Sequence, residues 1–241
     1  MIGMPCKTYF WIEDRQGKAG YTFWSAFMHQ MSPGVIVEGR KNNSELVKAV
    51  KALEDKNNKY IIVYDNAFDN VQAYQERKRL NLYAGQKPNV IIVDIVCFEY
   101  VLLEFDRLID WIYTPKDEFL AKRAGAIRAR KKLVQMLSAG ETDYKTLREV
   151  AEYDAHLEKH NIEQLSAKLL FDLTRNTGFE VTKGTIGACW ILACCDWAGR
   201  QENDVCGLDP VRPSAADKMK AVLRGTSLYS KFLQAGLEVL L

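Results

Sequence analysis

Four short apolar runs, at 7–12, 35–37, 60–64 and 90–96, alternate with stretches whose hydrophobic residues recur at helical spacing. Strands separated by helices through short loops are joined by crossovers, and crossovers build a parallel sheet with helices on its faces. The first run, Lys7-Thr-Tyr-Phe-Trp-Ile12, is aromatic and β-branched and stops at the polar stretch Glu13-Asp14-Arg15-Gln16-Gly17-Lys18. Tyr60–Tyr64 and Val90–Val96 are nearly continuous in apolar residues, as expected of strands covered on both faces. Between the runs, Phe23, Phe27 and Met31 are spaced by four, and Leu46, Val47, Val50 and Leu53 share one helical face. Pro33-Gly34 closes the first of these helices, and a polar, helix-prone insert covers 71–86.

From Thr114-Pro115 onward the strand pattern disappears, and helix-forming stretches follow at 116–138, 142–158, 161–175, 184–198 and 214–239. The expected architecture is an α/β domain over 1–114, with a Rossmann-like parallel sheet flanked by helices, and an all-helical domain over 115–241. A chain of 241 residues, 48% of them hydrophobic, can bury such a core. Its 33 basic and 31 acidic residues nearly cancel, so a polyanionic partner has to be recognised by a local patch. No run reaches the roughly 18–20 uninterrupted apolar residues that cross a bilayer, and the N-terminus lacks the features of a secretory signal. The expectation is a cytoplasmic protein without a membrane partner, its six cysteines present as thiols or metal ligands.

The informative residues are the acids where the apolar runs stop: Glu13 after the first, Asp65 and Asp69 after the third, Glu99 after the fourth. A parallel sheet sends all such ends to one edge, where ligands of open α/β sheets bind. Glu13, Asp65 and Glu99 are therefore expected at one edge of the same sheet. Carboxylates gathered there raise one another's pKa unless a cation neutralises them, and hard oxygen donors suit Mg²⁺ or Mn²⁺. Such ions polarise phosphoryl oxygens and lower the pKa of an attacking water. The bland alternative is that these are ordinary solvated loop acids.

The run TYFWIEDRQGKAGYTFW resembles the strand, Glu and helix that open Toprim domains, the fold shared by topoisomerases, primases and overcoming-lysogenization-defect nucleases. VIVEGRKNNSELVKAV, KYIIVYDNAFD and VIIVDIVCFEYVLL are similar, in order and spacing, to successive segments of the Toprim-like effector family of the PARIS anti-phage system. The resemblance covers about residues 7–112. It implies a metal-dependent nuclease acting on RNA or DNA, with Glu13 as general acid/base or metal ligand, Asp65 as first metal-binding Asp and Glu99 as the late acid. It also implies a defence role in which a separate ABC-type ATPase holds the effector in check, and a homodimer is compatible with it. The chain departs from the pattern at Ala67, where the family's second Asp is expected, and Asp69 is the nearby substitute. That departure leaves a second reading, a catalytically silent module that binds a partner protein or nucleic acid.

Lys122, Arg123, Arg128, Arg130, Lys131 and Lys132 lie between Phe119 and Gly140 with no acid among them. They are candidates for nucleic-acid contacts, since each phosphate neutralised releases counterion; a solvated face paired with Glu141, Asp143, Glu149, Glu152 and Asp154 is the alternative. Cys189, Cys194, Cys195 and Cys206 crowd together without Cys-x-x-Cys spacing, so a buried thiol cluster is the reading and zinc the alternative. His156 and His160 are read as solvated, and Cys97 as a core residue rather than a nucleophile. No phosphate-binding loop is present: Gly17, Gly20 and Gly39 fit neither glycine-rich pattern.

Overall fold

The computed structural model describes residues 6–113, 118–143, 150, 161–192 and 213–241. Strands β1 (Thr8–Ile12), β2 (Val35–Gly39), β3 (Lys59–Asp65) and β4 (Val90–Ile95) form one sheet of order β2-β1-β3-β4, every pair parallel. The register aligns Ile12 with Gly39 and Asp65 with Ile95, so the strands finish along a common edge.

Helices α1 (Ala19–Met31), α2 (Asn43–Ala52) and α3 (Val71–Ala84) make the crossovers. The chain steps from β1 to β2 in one direction and then returns past β1 to β3 and β4. Right-handed crossovers therefore put α1 on one face and α2 with α3 on the other. Side chains alternate to match. Phe10, Ile12, Ile61, Val63, Val93 and Ile95 pack on the α1 side, while Trp11, Tyr60, Ile62 and Tyr64 meet Leu46, Val50 and Leu80 of α2 and α3.

After β4 come α4 (Phe98–Glu104) and α5 (Leu108–Ile112). The stretch expected as one helix over 116–138 is two, α6 (Glu118–Lys122) and α7 (Ala124–Ser138), with the break at Arg123. Helix α8 (Ile162–Thr174) opens with a capping box in which Asn161 accepts from the Gln164 N–H and the Gln164 side chain reaches back to the Asn161 N–H. The stretch expected as helix over 184–198 begins otherwise. Val181 and Ile186 form an isolated antiparallel bridge, followed by the single turn α9 (Ala188–Ile191). The last stretch is α10 (Ala215–Arg224) and α11 (Leu228–Gln234), parted where Gly225 lies against Asp106: an added Cβ would stand 2.4 Å from the Asp106 Oδ1.

The helices beyond residue 118 lie over the α1 face. Leu165, Leu169, Phe179, Trp190, Met219 and Phe232 belong to the same cluster as Phe10 and Phe23 of the sheet and α1. Phe10 meets Phe232 edge-on at 5.9 Å between ring centroids, and Phe23 meets Trp190 at 6.4 Å. The two halves thus share one core, to which each large apolar side chain contributes about 1.5–3 kcal/mol. The boundary placed at Pro115 lies outside the described residues. Among the described residues no helix is long and apolar enough to cross a membrane.

Candidate active site

Strand order fixes where a ligand can enter. The chain reverses its direction of travel across the sheet between β1 and β3, and the crevice beyond the carboxyl ends at such a switch point is the binding position of open α/β sheets. Glu13 follows the last residue of β1, and Asp65 is the last residue of β3, so the two flank that crevice. Glu99 reaches it from the first turn of α4. All three line one cavity of about 440 Å³. Its sheet side adds Asp14, Gly20 and Phe98; the opposite wall comes from the C-terminal half, with Glu163, Gln164 and Phe171 of α8 and Val181, Thr182 and Lys183 beside the bridge.

Glu13 and Asp65 adjoin in this cavity, close enough that a Glu13 carboxylate raises the pKa of Asp65. Two buried acids side by side resist ionising together, which favours a protonated carboxyl. Burial is the main reason the proton stays. It pushes Glu13 up to about 8, helped by the negative charges of Asp14, Glu163 and Glu99. Asp65, only 8% exposed, is driven well above the carboxylate range by burial and then by Glu13 and Glu99, against an opposing hydrogen bond from the Phe98 N–H. Glu99 rises to about 7, again chiefly through burial. Asp14 and Glu163 are raised for the same reason, and the charge of Lys183 pulls both back.

Gly20 and Gly39 hold the loop after β1. A Cβ on Gly20 would sit 2.2 Å from the Asp14 Oδ2, and one on Gly39 would sit 2.1 Å from the Asp14 carbonyl oxygen. The glycines therefore serve close packing on Asp14 rather than a phosphate loop. Cys97 is fully buried, and its thiol is pushed up by burial and by Glu99 and Asp65, which keeps it protonated and unsuited to act as a nucleophile.

Asp69 does not join the other acids. Its Oδ2 accepts a 2.8 Å hydrogen bond from the Ile162 N–H at the start of α8. Ala67, where the resembled family places its second Asp, is 2% exposed, packs in the core on the α1 side and is not among the residues that line the cavity. The acid the sequence reading missed is Glu163. Nothing local marks it, because a helix that starts 67 residues past the end of β4 brings it to the sheet edge. Lys183 was missed likewise, on a turn just ahead of the stretch expected as helix over 184–198.

The basic stretch divides. Arg123 is 5% exposed, with its guanidinium on the Tyr113 hydroxyl at 2.9 Å and on the Leu173 and Arg175 carbonyls at 2.6 and 2.7 Å. Arg130 donates to the Leu103 and Phe105 carbonyls at 2.8 and 2.6 Å, at the end of α4. Both were expected to face nucleic acid; both instead satisfy carbonyls inside the fold. Arg128, Lys131 and Lys132 are exposed, and exposed Lys122 pairs with Glu118 at 3.3 Å. Cys189 is buried, while Cys194, Cys195, Cys206, His156 and His160 lie outside the described residues.

Among the described residues no three His, Cys, Asp or Glu side chains already stand as an ion's ligand shell. The donor chemistry fits a hard divalent cation nonetheless. The floor of the cavity offers carboxyl oxygens, and the protons held on Glu13, Asp65 and Glu99 are what a cation would displace. No protein-family model, curated protein or solved structure matches this chain.

Proposed function

We propose that the chain is a Toprim-like nuclease dependent on Mg²⁺ or Mn²⁺. The observation that carries this reading is the adjoining pair Glu13 and Asp65 at the switch point, with Glu99 in the same cavity. Strongly raised carboxyls in a cleft mark functional sites, because a purely structural fold gains nothing from burying acids against acids. In this reading Glu13, Asp65 and Glu99 hold the ion, and Asp14 and Glu163 add negative charge beside it. A divalent ion there would polarise the phosphoryl oxygen and activate water. Glu13, once deprotonated, accepts the proton of the attacking water, and burial beneath α8 keeps bulk solvent from the reacting groups. Resemblance supports the finer assignments: the Toprim identity, the anti-phage role and a separate ABC-type ATPase as partner.

The test is cleavage of single- and double-stranded DNA and RNA in Mg²⁺ and in Mn²⁺, by the wild type and by Glu13→Gln. Cleavage by the wild type, reduced at least a hundredfold in E13Q, is the expected outcome. Equal inertness of both proteins across the divalent ions would leave a silent binding module and end the nuclease reading.

A further inference from the structure

We infer that the cavity receives one nucleotide of a single-stranded nucleic acid, with a phosphate at Lys183 and the base against Phe171. The inference rests on the nuclease reading for its substrate class, and on the cavity's own walls for the rest. Among the described lining residues Lys183 is the sole cation, exposed on the turn between Val181 and Ile186 and close enough to offset the charge of Asp14 and Glu163. A lone cation among acids is the one charged partner that the described lining residues offer an anion.

Phe171 supplies the second contact. Leu169, Leu170 and Leu173 of the same helix are fully buried, yet Phe171 is 39% exposed and lines the cavity. An aromatic ring kept half in water beside a charged site has a free face for stacking, and stacking is sequence-tolerant because every base has a π-face. The cavity's volume, about 440 Å³, is that of a pocket for one small-molecule-sized unit. Its acids lie beneath α8, with Asp65 almost wholly enclosed. A stacked duplex has to unpair to place a nucleotide there, at a cost that single strands do not bear.

The test is fluorescence anisotropy in Mn²⁺ with a labelled, cleavage-resistant phosphorothioate oligothymidine and with its duplex of equal length. The single strand is expected to bind at least tenfold more tightly than the duplex. Phe171→Ala should weaken single-strand binding roughly five- to 150-fold, the range for one lost stacking partner, and Phe171→Tyr should restore it. Lys183→Ala should weaken it fivefold or more, and Lys183→Arg should restore it. Both residues are exposed, so thermal melts of the variants are expected to match wild type and serve as the folding control. Duplex binding as tight as single-strand binding, or variants without effect, would overturn the pocket assignment. Cleavage lost in E13Q would then still support the nuclease reading. A wild type inert on every substrate, yet binding single strands through Phe171 and Lys183, would reject the nuclease and keep the pocket.

Discussion

The carboxylate of Asp69, four residues past the end of β3, accepts a 2.8 Å hydrogen bond from the backbone N–H of Ile162, the first residue of α8. This bond joins the loop beside the acids to the helix that roofs them. Burial raises the Asp69 pKa and the Ile162 N–H opposes the rise, as expected of a carboxylate tied to a helix start.

Removing that acceptor should loosen the roof. Asp69→Ala is expected to cost about 1–2 kcal/mol, the usual range for a lost helix-terminal acceptor. At about 2–4 °C per kcal/mol for a chain of this size, Tm should fall by roughly 2–8 °C. Asp69→Asn keeps an acceptor oxygen and should recover most of the loss. A D69A protein that melts with the wild type would show the bond to be idle.

The raised acids set a pH dependence of opposite sign to the usual carboxylate case. Glu13 and Glu99 sit at about 8 and about 7 against an ordinary 4.5, so between about pH 4.5 and 8 the folded chain holds more protons than the unfolded one. Their contribution to stability is fully present below pH 4.5 and is lost as pH rises through 7 and 8. Without divalent ions, Tm should fall by several degrees between pH 5 and 8.5, and Glu13→Gln should flatten the fall. Mn²⁺ should restore Tm at pH 8.5 more than at pH 5.5, because the ion binds the deprotonated acids. Melting curves that rise with pH would contradict the raised carboxyls of Glu13 and Glu99.

Gly20 tests the packing behind the site. Gly20→Ala drives a Cβ into the Asp14 carboxylate, which must swing away. Mn²⁺ affinity by isothermal titration should drop about tenfold or more, and a G20A protein with wild-type affinity would show that Asp14 lends the ion nothing.

The basic stretch should split by burial. Arg123→Ala leaves the Leu173 and Arg175 carbonyls short of a donor and should cost about 2–4 kcal/mol, lowering Tm by roughly 5–15 °C. The double variant Arg128→Ala with Lys131→Ala removes exposed charges and should melt within about 2 °C of wild type. If this face meets phosphates, the salt slope of nucleic-acid binding should shrink by about one per charge removed. An unchanged slope would take α7 out of the interface.

Strands and site acids were legible for the same reason. Each apolar run is read locally, and each ends where its acid begins, so a parallel sheet gathers Glu13 and Asp65 without further information. Glu163 and Lys183 were illegible because their places depend on how a distant helix docks. Arg123 and Arg130 could have been assigned from spacing alone. On α7 they fall on the same face as Ala126 and Leu133, while Arg128, Lys131 and Lys132 fall opposite, but a count of charges ignores the 3.6-residue period. Ile186 falls in the stretch expected as helix over 184–198, although it and Val181, both β-branched and separated by a turn carrying Gly184, favour the bridge they form.

The contact of Phe232 with Phe10, and of Trp190 with Phe23, bears on how such a chain can change over generations. A recombinant joined near residue 115 would bring a foreign set of rings against the α1 face, leaving voids or clashes where this chain has edge-to-face pairs. It would also replace Glu163 and the Asp69 acceptor's target in a single exchange. The sheet and its helical cover are therefore one unit of inheritance, and a substitution on either side of that interface is selected against the residues on the other.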